Sequence, residues 1–411
     1  MNTRSHLPPE VVGRIAESLG PDVEKKDLLS LALTSRVCRV ESQRVLFRTM
    51  EVKCGQGEAK GGIRAHSLFL EAIINAPVRL GQCVRAYTCV WLAISPLHTD
   101  FHSEESFQQD HNGFYHRPNL KAGMHLWNTM RRALPIMTRL AHLTLAVGSV
   151  AEWGHSTNGV SILRNCHFAL ESLVWGNSLD FPTLASDVLP YQPLLRSFGI
   201  YHHAEDKPVP LITNFPPDAL PHLRNIHGPT SALVAFIPGR NVEAVSWTIN
   251  SDYDALEQAG RLLSRTQYLR ISESRGLDRV AQYLVSVEVL CLQTYRLNSN
   301  PDFSQLASLT SLRTLILQNR DRWSPYDLEE EDIVAWRDSV EEIAATTFVS
   351  CSTLERVLVE GFDNACPYTI IKRVGDGIEV GEELQLSEMM EIFEPWMPRP
   401  LANLADIRHY M

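Results

Sequence analysis

The residues best suited to chemistry by type are the histidines of one polar stretch. Within residues 97–119 there are four of them: His98, His102, His111 and His116. Imidazole is a common metal ligand, and His98 and His102 are four residues apart. No helical apolar stripe and no cysteine accompanies them, however, so a polar insertion loop is favoured over a metal site. The neighbouring pair His202–His203 is interpreted in the same way.

The cysteines are the second group that could do chemistry. The chain has eight: Cys38, Cys54, Cys83, Cys89, Cys166, Cys291, Cys351 and Cys366. They are scattered, mostly inside apolar runs, and none forms a CxxC pair, so neither a metal site nor a disulfide framework is expected. Reduced, buried thiols are typical of a cytoplasmic or nuclear protein.

No pattern of an enzyme active site is present. The sequence lacks GxSxG, P-loop, HExxH and GxGxxG motifs, so we expect no catalytic residue, no cofactor and no metal. The net charge of −10 disfavours a free nucleic-acid-binding protein. No run approaches the roughly 18 apolar residues of a membrane span, and the first ten residues lack the apolar region of a secretory signal.

The chain begins with a short amphipathic helix, in the segment "LPPEVVGRIAESLG". Pro9 suits the first helical position and Glu10 the positive end of the helix dipole. An apolar stripe at helical spacing follows: Val11, Val12, Ile15 and Leu19. Gly20 and Pro21 end the helix. About three turns are marginal in isolation, so this helix must pack on another element.

Two further helices are predicted in the next thirty residues. "DLLSLALTSR" begins with Asp27 as its N-cap and is apolar on nearly every side, and "VESQRVLFRTM" gives the third helix. Three short helices cannot bury this much apolar surface among themselves. Part of the surface is therefore expected to contact a partner chain.

This segment resembles an F-box, in the form common in fungal proteins, over residues 5–50. The matching positions are Leu7, Pro8, Glu10, Val11, Ile15, Leu19, Asp27 and Leu28, followed by "LFR". One position departs from the family: Cys38 stands where a tryptophan is usual. The resemblance implies a three-helix unit over residues 1–52 that docks on the Skp-type adaptor of a cullin–RING ubiquitin ligase. The implied adaptor contacts are Leu7, Pro8, Pro9, Glu10, Val11, Ile15, Leu19, Leu28 and Leu31.

An internal repeat of the pattern φ-x-x-φ-x-φ fills most of the remaining chain. Clear copies begin at Leu140, Leu170, Leu195, Val242, Val287, Leu312 and Leu354, and weaker ones at Val84, Leu223 and Thr266. From Leu140 to Leu312 the copies recur every 19–30 residues, close to the roughly 20–29 residues of leucine-rich repeats. Each copy predicts a short parallel strand whose crossover returns the chain, often as a helix.

The predicted fold is therefore α/β, with the three helices followed by an irregular leucine-rich-repeat solenoid. We assign residues 53–66, which are rich in glycine, to a linker and residues 67–411 to the solenoid and its C-terminal cap. Strands are expected on the concave side and helices outside. A long acidic helix is predicted within residues 324–348, and a hairpin at Gly375–Gly377.

Residues between the inward positions of each strand are expected to face the concave side and to bind substrate. They include Thr144, Ser246, Arg270, Cys291, Ile316 and Leu358. The last three are apolar, so they form either a recognition patch or the seat of the C-terminal segment. That segment contains Met389, Phe393 and Trp396. We favour the second alternative, because a bare patch would promote aggregation.

Three functions remain after this reading. The leading hypothesis is a non-catalytic substrate-recognition subunit of a Skp–cullin–F-box ligase that recruits a protein substrate. The alternative, motivated by Cys38, is a leucine-rich-repeat scaffold that does not engage a cullin complex. A hydrolytic or transfer enzyme on an unusual α/β fold is the third, and the lack of motifs argues against it.

Overall fold

The computed structural model forms two compact units, residues 1–184 and 185–411. The described residues are 7–19, 25–53, 59–91, 120–147, 159–176, 180–200, 212, 215–249, 255–272, 276–295, 303–319, 330–360, 368–375, 377–383, 392 and 395–396. The histidines of residues 97–119 and the pair His202–His203 lie outside them. In the part of the chain so described, no helix is long and apolar enough to cross a membrane.

The first unit begins with three short helices, as the sequence predicts. They are α1 (Pro9–Leu19), α2 (Lys25–Thr34) and α3 (Arg36–Leu46). Pro9 does open α1, but Asp27 lies in the first turn of α2 rather than at its cap. The third helix starts four residues earlier than expected, because the Ser35 hydroxyl accepts a hydrogen bond from the Cys38 amide at 3.1 Å and caps it.

A four-stranded parallel sheet completes the first unit. Its strands are β1 (Thr49–Lys53), β2 (Ala86–Trp91), β3 (His142–Val147) and β4 (Ser172–Trp175), paired in chain order. The helices between them are α4 (Ala59–Asn75), α5 (Pro77–Leu80) and α6 (Leu120–Ala133). Residues 59–66 of the expected linker thus belong to α4, whose buried His66, Leu70 and Ile73 extend the helical pattern backwards. Strand β1 was not anticipated.

The second unit contains seven parallel strands and a terminal antiparallel hairpin. The strands are β5 (Ser197–Ile200), β6 (Asn225–Pro229), β7 (Ala244–Thr248), β8 (Tyr268–Ile271), β9 (Val289–Tyr295), β10 (Thr314–Asn319), β11 (Arg356–Glu360), β12 (Tyr368–Val374) and β13 (Gly377–Glu383). Strands β5 to β11 pair in chain order, each parallel to the next. The hairpin at Gly375 is confirmed: β12 pairs antiparallel with both β11 and β13, and Gly375 has a φ of 59°.

Helices or short 3₁₀ turns connect these strands. The helices are α7 (Phe181–Asp187), α8 (Thr230–Phe236), α9 (Leu256–Leu262), α10 (Leu277–Val280) and α11 (Glu330–Ser350). The long acidic helix predicted before β11 is α11, which buries Val340 and Ile343 and exposes Glu341 and Glu342. Its predicted capping segment at Ser324 lies outside the described residues.

The repeat positions form the core of each unit. Every inward residue of the clear copies is buried: Leu143, Leu145, Leu173, Trp175, Phe198, Ile200, Val245, Trp247, Leu290, Leu292, Leu315, Leu317, Val357 and Val359. They face the crossover helices. The ring of Phe198 lies 5.1 Å from that of Phe236 in α8, and the Trp247 Nε1–H donates to the Thr230 hydroxyl at 3.0 Å. Parallel strands in chain order on such repeats are the architecture of a leucine-rich-repeat-type solenoid.

Tight strand packing generates a first prediction, at Gly176 after β4. A Cβ there would lie 2.3 Å from Ala146 Cα, so Gly176→Ala forces two backbones apart and should lower the unfolding free energy by about 1–3 kcal/mol. Gly377→Ala is the control, since its nearest atom is 3.6 Å away. Chemical denaturation of both variants measures this, and equal losses would contradict the close approach.

A second prediction concerns His66, which shares a hydrogen bond with the buried Tyr87 hydroxyl of β2. Burial lowers the pKa of His66 to about 4 from an ordinary 6.5. Between these pH values the unfolded chain binds more protons than the folded chain. The contribution of His66 to the unfolding free energy is therefore fully present above pH 6.5 and falls by roughly 3 kcal/mol as the pH drops towards 4.

We expect His66→Gln to flatten this pH dependence, measured as the denaturation free energy from pH 7 to pH 4.5. His227 of the second unit, whose burial also lowers its pKa to about 4, contributes to the remaining slope, as does His142, whose pKa burial lowers too. The pKa of Asp180, raised by burial to about 6, acts in the opposite direction, so His66→Gln combined with His227→Gln should flatten the dependence further than His66→Gln alone. A slope unchanged in His66→Gln would show that His66 is already protonated in the folded chain.

Candidate protein-interaction site

The three N-terminal helices, here called the N-terminal module, have a complete core of their own. Ala16, Leu28 and Val45 are buried at its centre, one from each helix. Leu19, Leu31 and Leu46 pack around them. This core buries one side of each helix and does not cover the other sides.

An ion-pair network holds α1 against α3 in the module. The Arg44 Nη2 lies 2.9 Å from Glu17 Oε1 of α1, and its Nε lies 2.8 Å from Glu41 Oε2. The hydrogen bonds to Glu41 and then Glu17 raise the pKa of Arg44. These groups are partly exposed, so the network orients the helices more than it stabilises them.

The opposite sides of the module carry exposed apolar side chains, here called the N-terminal apolar set. Its members are Leu7, Val11, Ile15, Leu29, Leu33, Val37 and Val40. They are seven of the sixteen large hydrophobic side chains that are exposed in the described residues, although the module is a small part of the chain. Single exposed hydrophobics are ordinary, but such a concentration is typical of a surface that contacts another protein.

Helical spacing explains how each helix presents its members. Val11 and Ile15 are four residues apart in α1, as are Leu29 and Leu33 in α2, so each pair shares a helix face. Ile15 is 40% exposed and Leu33 is 81% exposed. The core around Leu28 therefore buries neither of these two side chains.

Most adaptor contacts implied by the F-box resemblance lie at the surface. The exposed ones are Leu7, Pro8, Pro9, Glu10, Val11 and Ile15. Leu19 and Leu31 are half-buried against the core. Leu28 was also predicted to contact the adaptor, but it is fully buried in the core of the module and exposes no area to a partner.

Four members of the apolar set were missed in the sequence: Leu29, Leu33, Val37 and Val40. The signal was available for α2, because a short helix that is apolar on nearly every side cannot bury all its faces. Val40 was already placed in the predicted third helix, but its exposure was not foreseen, and Val37 was missed because α3 was placed too late in the chain. Its true start at Arg36 brings Val37 into the first turn.

Cys38 stands beside Val37 in the first turn of α3, partly exposed. Hydrogen bonds from Ser35 and then Thr34 lower the pKa of this thiol. A small polar thiol therefore takes the place that the resemblance gives to a tryptophan, and it offers a partner less apolar area.

The residues expected to bind substrate on the strands are, with one exception, not available. Thr144 of β3 is buried in the first unit, as are Ser246, Cys291, Ile316 and Leu358 in the second. Arg270 is half-buried. The predicted row is on the expected sheet face, but its members do not form an open recognition surface.

The C-terminal segment occupies part of this face in the second unit. Trp396 is only 8% exposed and packs in one cluster with Cys291, Ile316 and Leu358. Its ring meets Tyr268 edge-on at 6.1 Å. The alternative favoured from the sequence, a seat for the C-terminal segment, is thus confirmed for Trp396. Met389 and Phe393 lie outside the described residues.

A polar network crosses the same face. Gln318 Nε2 donates to the Tyr368 hydroxyl at 2.6 Å, while its Oε1 accepts from Arg270 Nη2 at 3.1 Å and from the Cys291 thiol at 3.4 Å. Burial, and secondarily Arg270, lowers the pKa of His227 to about 4. The network ties β8, β9, β10 and β12 together.

Among the described residues, no three His, Cys, Asp or Glu side chains are placed to hold a metal ion. No family model matches the sequence, and no curated protein matches it. Among solved structures the chain is similar to LegL7, a leucine-rich repeat-containing protein from Legionella pneumophila, with a TM-score of 0.39 and 12% identity, over 78% of this chain and 86% of that one. The repeat assignment therefore depends on the strand order and the buried repeat positions.

The seat of Trp396 generates a third prediction. Trp396→Ala should uncover the Cys291 thiol, because the two side chains belong to one buried cluster. Iodoacetamide labelling followed by peptide mass spectrometry should show faster modification of Cys291 in the variant. Cys351, buried near the Leu309 carbonyl, is the internal control.

Tyr191→Ala provides the matched variant, since Tyr191 is an exposed aromatic residue of the same unit. It should leave the labelling of both cysteines unchanged. Continued protection of Cys291 in Trp396→Ala would show that other residues cover this face.

Proposed function

We propose that this chain is the substrate-recognition subunit of a Skp–cullin–F-box ubiquitin ligase, with the N-terminal module as its adaptor-binding part. The observation that carries the proposal is the N-terminal apolar set. The module has its own core around Leu28, yet it leaves Leu7, Val11 and Ile15 exposed on or beside α1.

Burial by a partner is the physical reason for such a surface. Each fully buried aliphatic side chain contributes about 1.5–3 kcal/mol relative to exposure, so covering the set offers ample free energy for a stable complex even after the cost of association. Left uncovered, the same residues would favour aggregation.

The Skp-type adaptor is the proposed occupant because two independent features coincide. The resemblance assigns adaptor contacts to Leu7, Pro8, Glu10 and Ile15 by position in the sequence, and these side chains are exposed in the folded chain. Leu29, Leu33, Val37 and Val40 would enlarge the contact, and Cys38 would reduce it locally.

The solenoid would then bind the protein substrate. In this role the chain performs no bond chemistry and needs no metal or cofactor: it holds a substrate near a charged ubiquitin carrier and raises the effective concentration of the reacting groups. Since Trp396 covers part of the strand face, we infer that the substrate contacts edges and loops of the repeats. Neither a nucleic acid nor a membrane is required, and a cytoplasmic or nuclear location fits the proposed partners.

The second candidate is a repeat scaffold that binds partner proteins without joining a cullin complex. Cys38 favours it, because the residue lies next to Val37 of the apolar set and lacks the area of the usual tryptophan. Both candidates use the solenoid for binding, and they differ in what covers the N-terminal apolar set.

A fourth prediction tests the proposed occupant. Full-length protein should bind a purified Skp-type adaptor in isothermal titration calorimetry, and Ile15→Asp should weaken binding by about a hundredfold or more, because an unpaired aspartate would be buried at the contact. Val349→Asp is the matched control. Val349 is also an exposed apolar residue on a helix, but in the second unit.

The outcomes separate the candidates cleanly. Circular dichroism and the unfolding midpoint should be unchanged in Ile15→Asp, since Ile15 is not part of the core around Leu28. If the wild-type chain shows no affinity for the adaptor, the ligase assignment is wrong and the scaffold function stands. Equal adaptor affinity in both variants would instead place the contact elsewhere on the chain.

A further inference from the structure

Four arginines of the first unit lie at one edge, where the parallel strands begin. Arg48 and Arg85 directly precede β1 and β2, and the Arg85 amide donates to the Arg48 carbonyl at 2.8 Å. The Arg85 guanidinium donates to the Arg139 carbonyl at 3.3 Å, just before β3. Arg79, in α5, completes the group, here called the arginine edge.

Arg79 and Arg139 both lie close enough to the Cys83 thiol to act on it electrostatically, as does the carboxylate of Glu41. The Cys83 thiol between them donates to the Arg79 carbonyl at 3.1 Å. Burial raises the pKa of Cys83, while Arg44, Arg139 and Arg79 act in the opposite direction. One thiol thus lies within the fields of several guanidinium groups.

The arginine edge has no neutralising partner in the described residues. All four side chains are exposed, and none of them forms an ion pair there. Arg44, only a few residues from Arg48, pairs with both Glu17 and Glu41. The chain therefore pairs some arginines in this unit and leaves these free.

The same position of the repeat is treated differently in the second unit. There two arginines that directly precede strands, Arg224 and Arg313, each pair with a glutamate that precedes the next strand. Arg224 lies 3.8 Å from Glu243, and Arg313 lies 3.5 Å from Glu355. The backbone ladder that brings these side chains side by side is the same in both units. In the first unit Arg48 and Arg85 precede neighbouring strands, whereas the acidic residue at this position, Glu171, precedes β4. The lack of an ion pair at the arginine edge among the described residues therefore follows from its sequence and not from the fold.

We propose that the arginine edge, Arg48, Arg79, Arg85 and Arg139, binds an acidic segment of a partner protein, rich in aspartate and glutamate. Guanidinium groups match carboxylates in a two-pronged geometry. Strands about 4.8 Å apart place Arg48 and Arg85 within reach of neighbouring acidic side chains. The inference does not depend on adaptor binding, since the N-terminal apolar set and the arginine edge share no residue.

An acidic peptide is favoured over a nucleic acid by the charge of the whole chain. With a net charge of −10, the chain repels a long polyanion outside its local contact, whereas a short acidic segment meets only the edge. Tyr87 and Trp127, two aromatic residues that lie between Arg85 and Arg139 in the sequence, are buried, so their rings offer no face on which a base could stack.

The test measures binding of a fluorescein-labelled poly-glutamate peptide to the full-length chain by fluorescence anisotropy at low salt. The variant R48Q/R79Q/R85Q/R139Q should lose at least about tenfold in affinity. The matched control R196Q/R224Q/R265Q/R313Q removes the same charge from exposed arginines of the second unit and should bind as the wild type does. Added salt should weaken wild-type binding.

Each other result would overturn the proposal. Equal losses in both variants would mean that only net charge matters, and no binding by the wild type would remove the site. Stronger competition by a single-stranded oligonucleotide than by the peptide would make the edge a nucleic-acid site. Peptide affinity should persist in Ile15→Asp, and adaptor affinity should persist in the edge variant, so this inference and the ligase assignment fail separately.

Discussion

The pairing of parallel strands in chain order is the constraint on which the rest of this structure depends. Side chains alternate across a strand, so two inward positions in each repeat must be apolar wherever helices cover one face. Leu315 and Leu317 of β10 satisfy this beside Leu290 and Leu292 of β9. No single repeat could bury these residues, because the side chains that cover them come from the repeats on either side.

The same constraint requires the last parallel strand to be covered where the series of strands ends. In the second unit β12 turns back against β11 and β13 follows it, so the parallel series stops in an antiparallel hairpin at Gly375. Trp396, which follows the hairpin in the sequence, packs over Cys291, Ile316 and Leu358. An apolar strand face that would promote self-association is thereby covered from within the chain.

The N-terminal module buries the apolar side chains on only one side of its helices. Its helices share a small core at Ala16, Leu28 and Val45, while Leu33 and Ile15 face outward. A module that buried all of its apolar side chains internally would not leave these two residues exposed. Together with the arginines before β1 and β2, which form no ion pair among the described residues, they give the first unit two chemically different surfaces, one apolar and one cationic.

The sequence by itself determined the repeat pattern, the strands from β2 to β11 and the terminal hairpin, though not β1, because an alternating pattern in register with a repeat leaves few other ways to bury so many apolar residues. It also located α1, since Pro9 and the stripe after it act locally. Only the tertiary structure decided which apolar residues are buried and which are free. Leu28 and Leu29 are adjacent and chemically identical, yet one is in the core and the other is at the surface. That choice depends on the neighbouring helices, just as Cys291 packs in one buried cluster with Trp396, more than a hundred residues away in sequence.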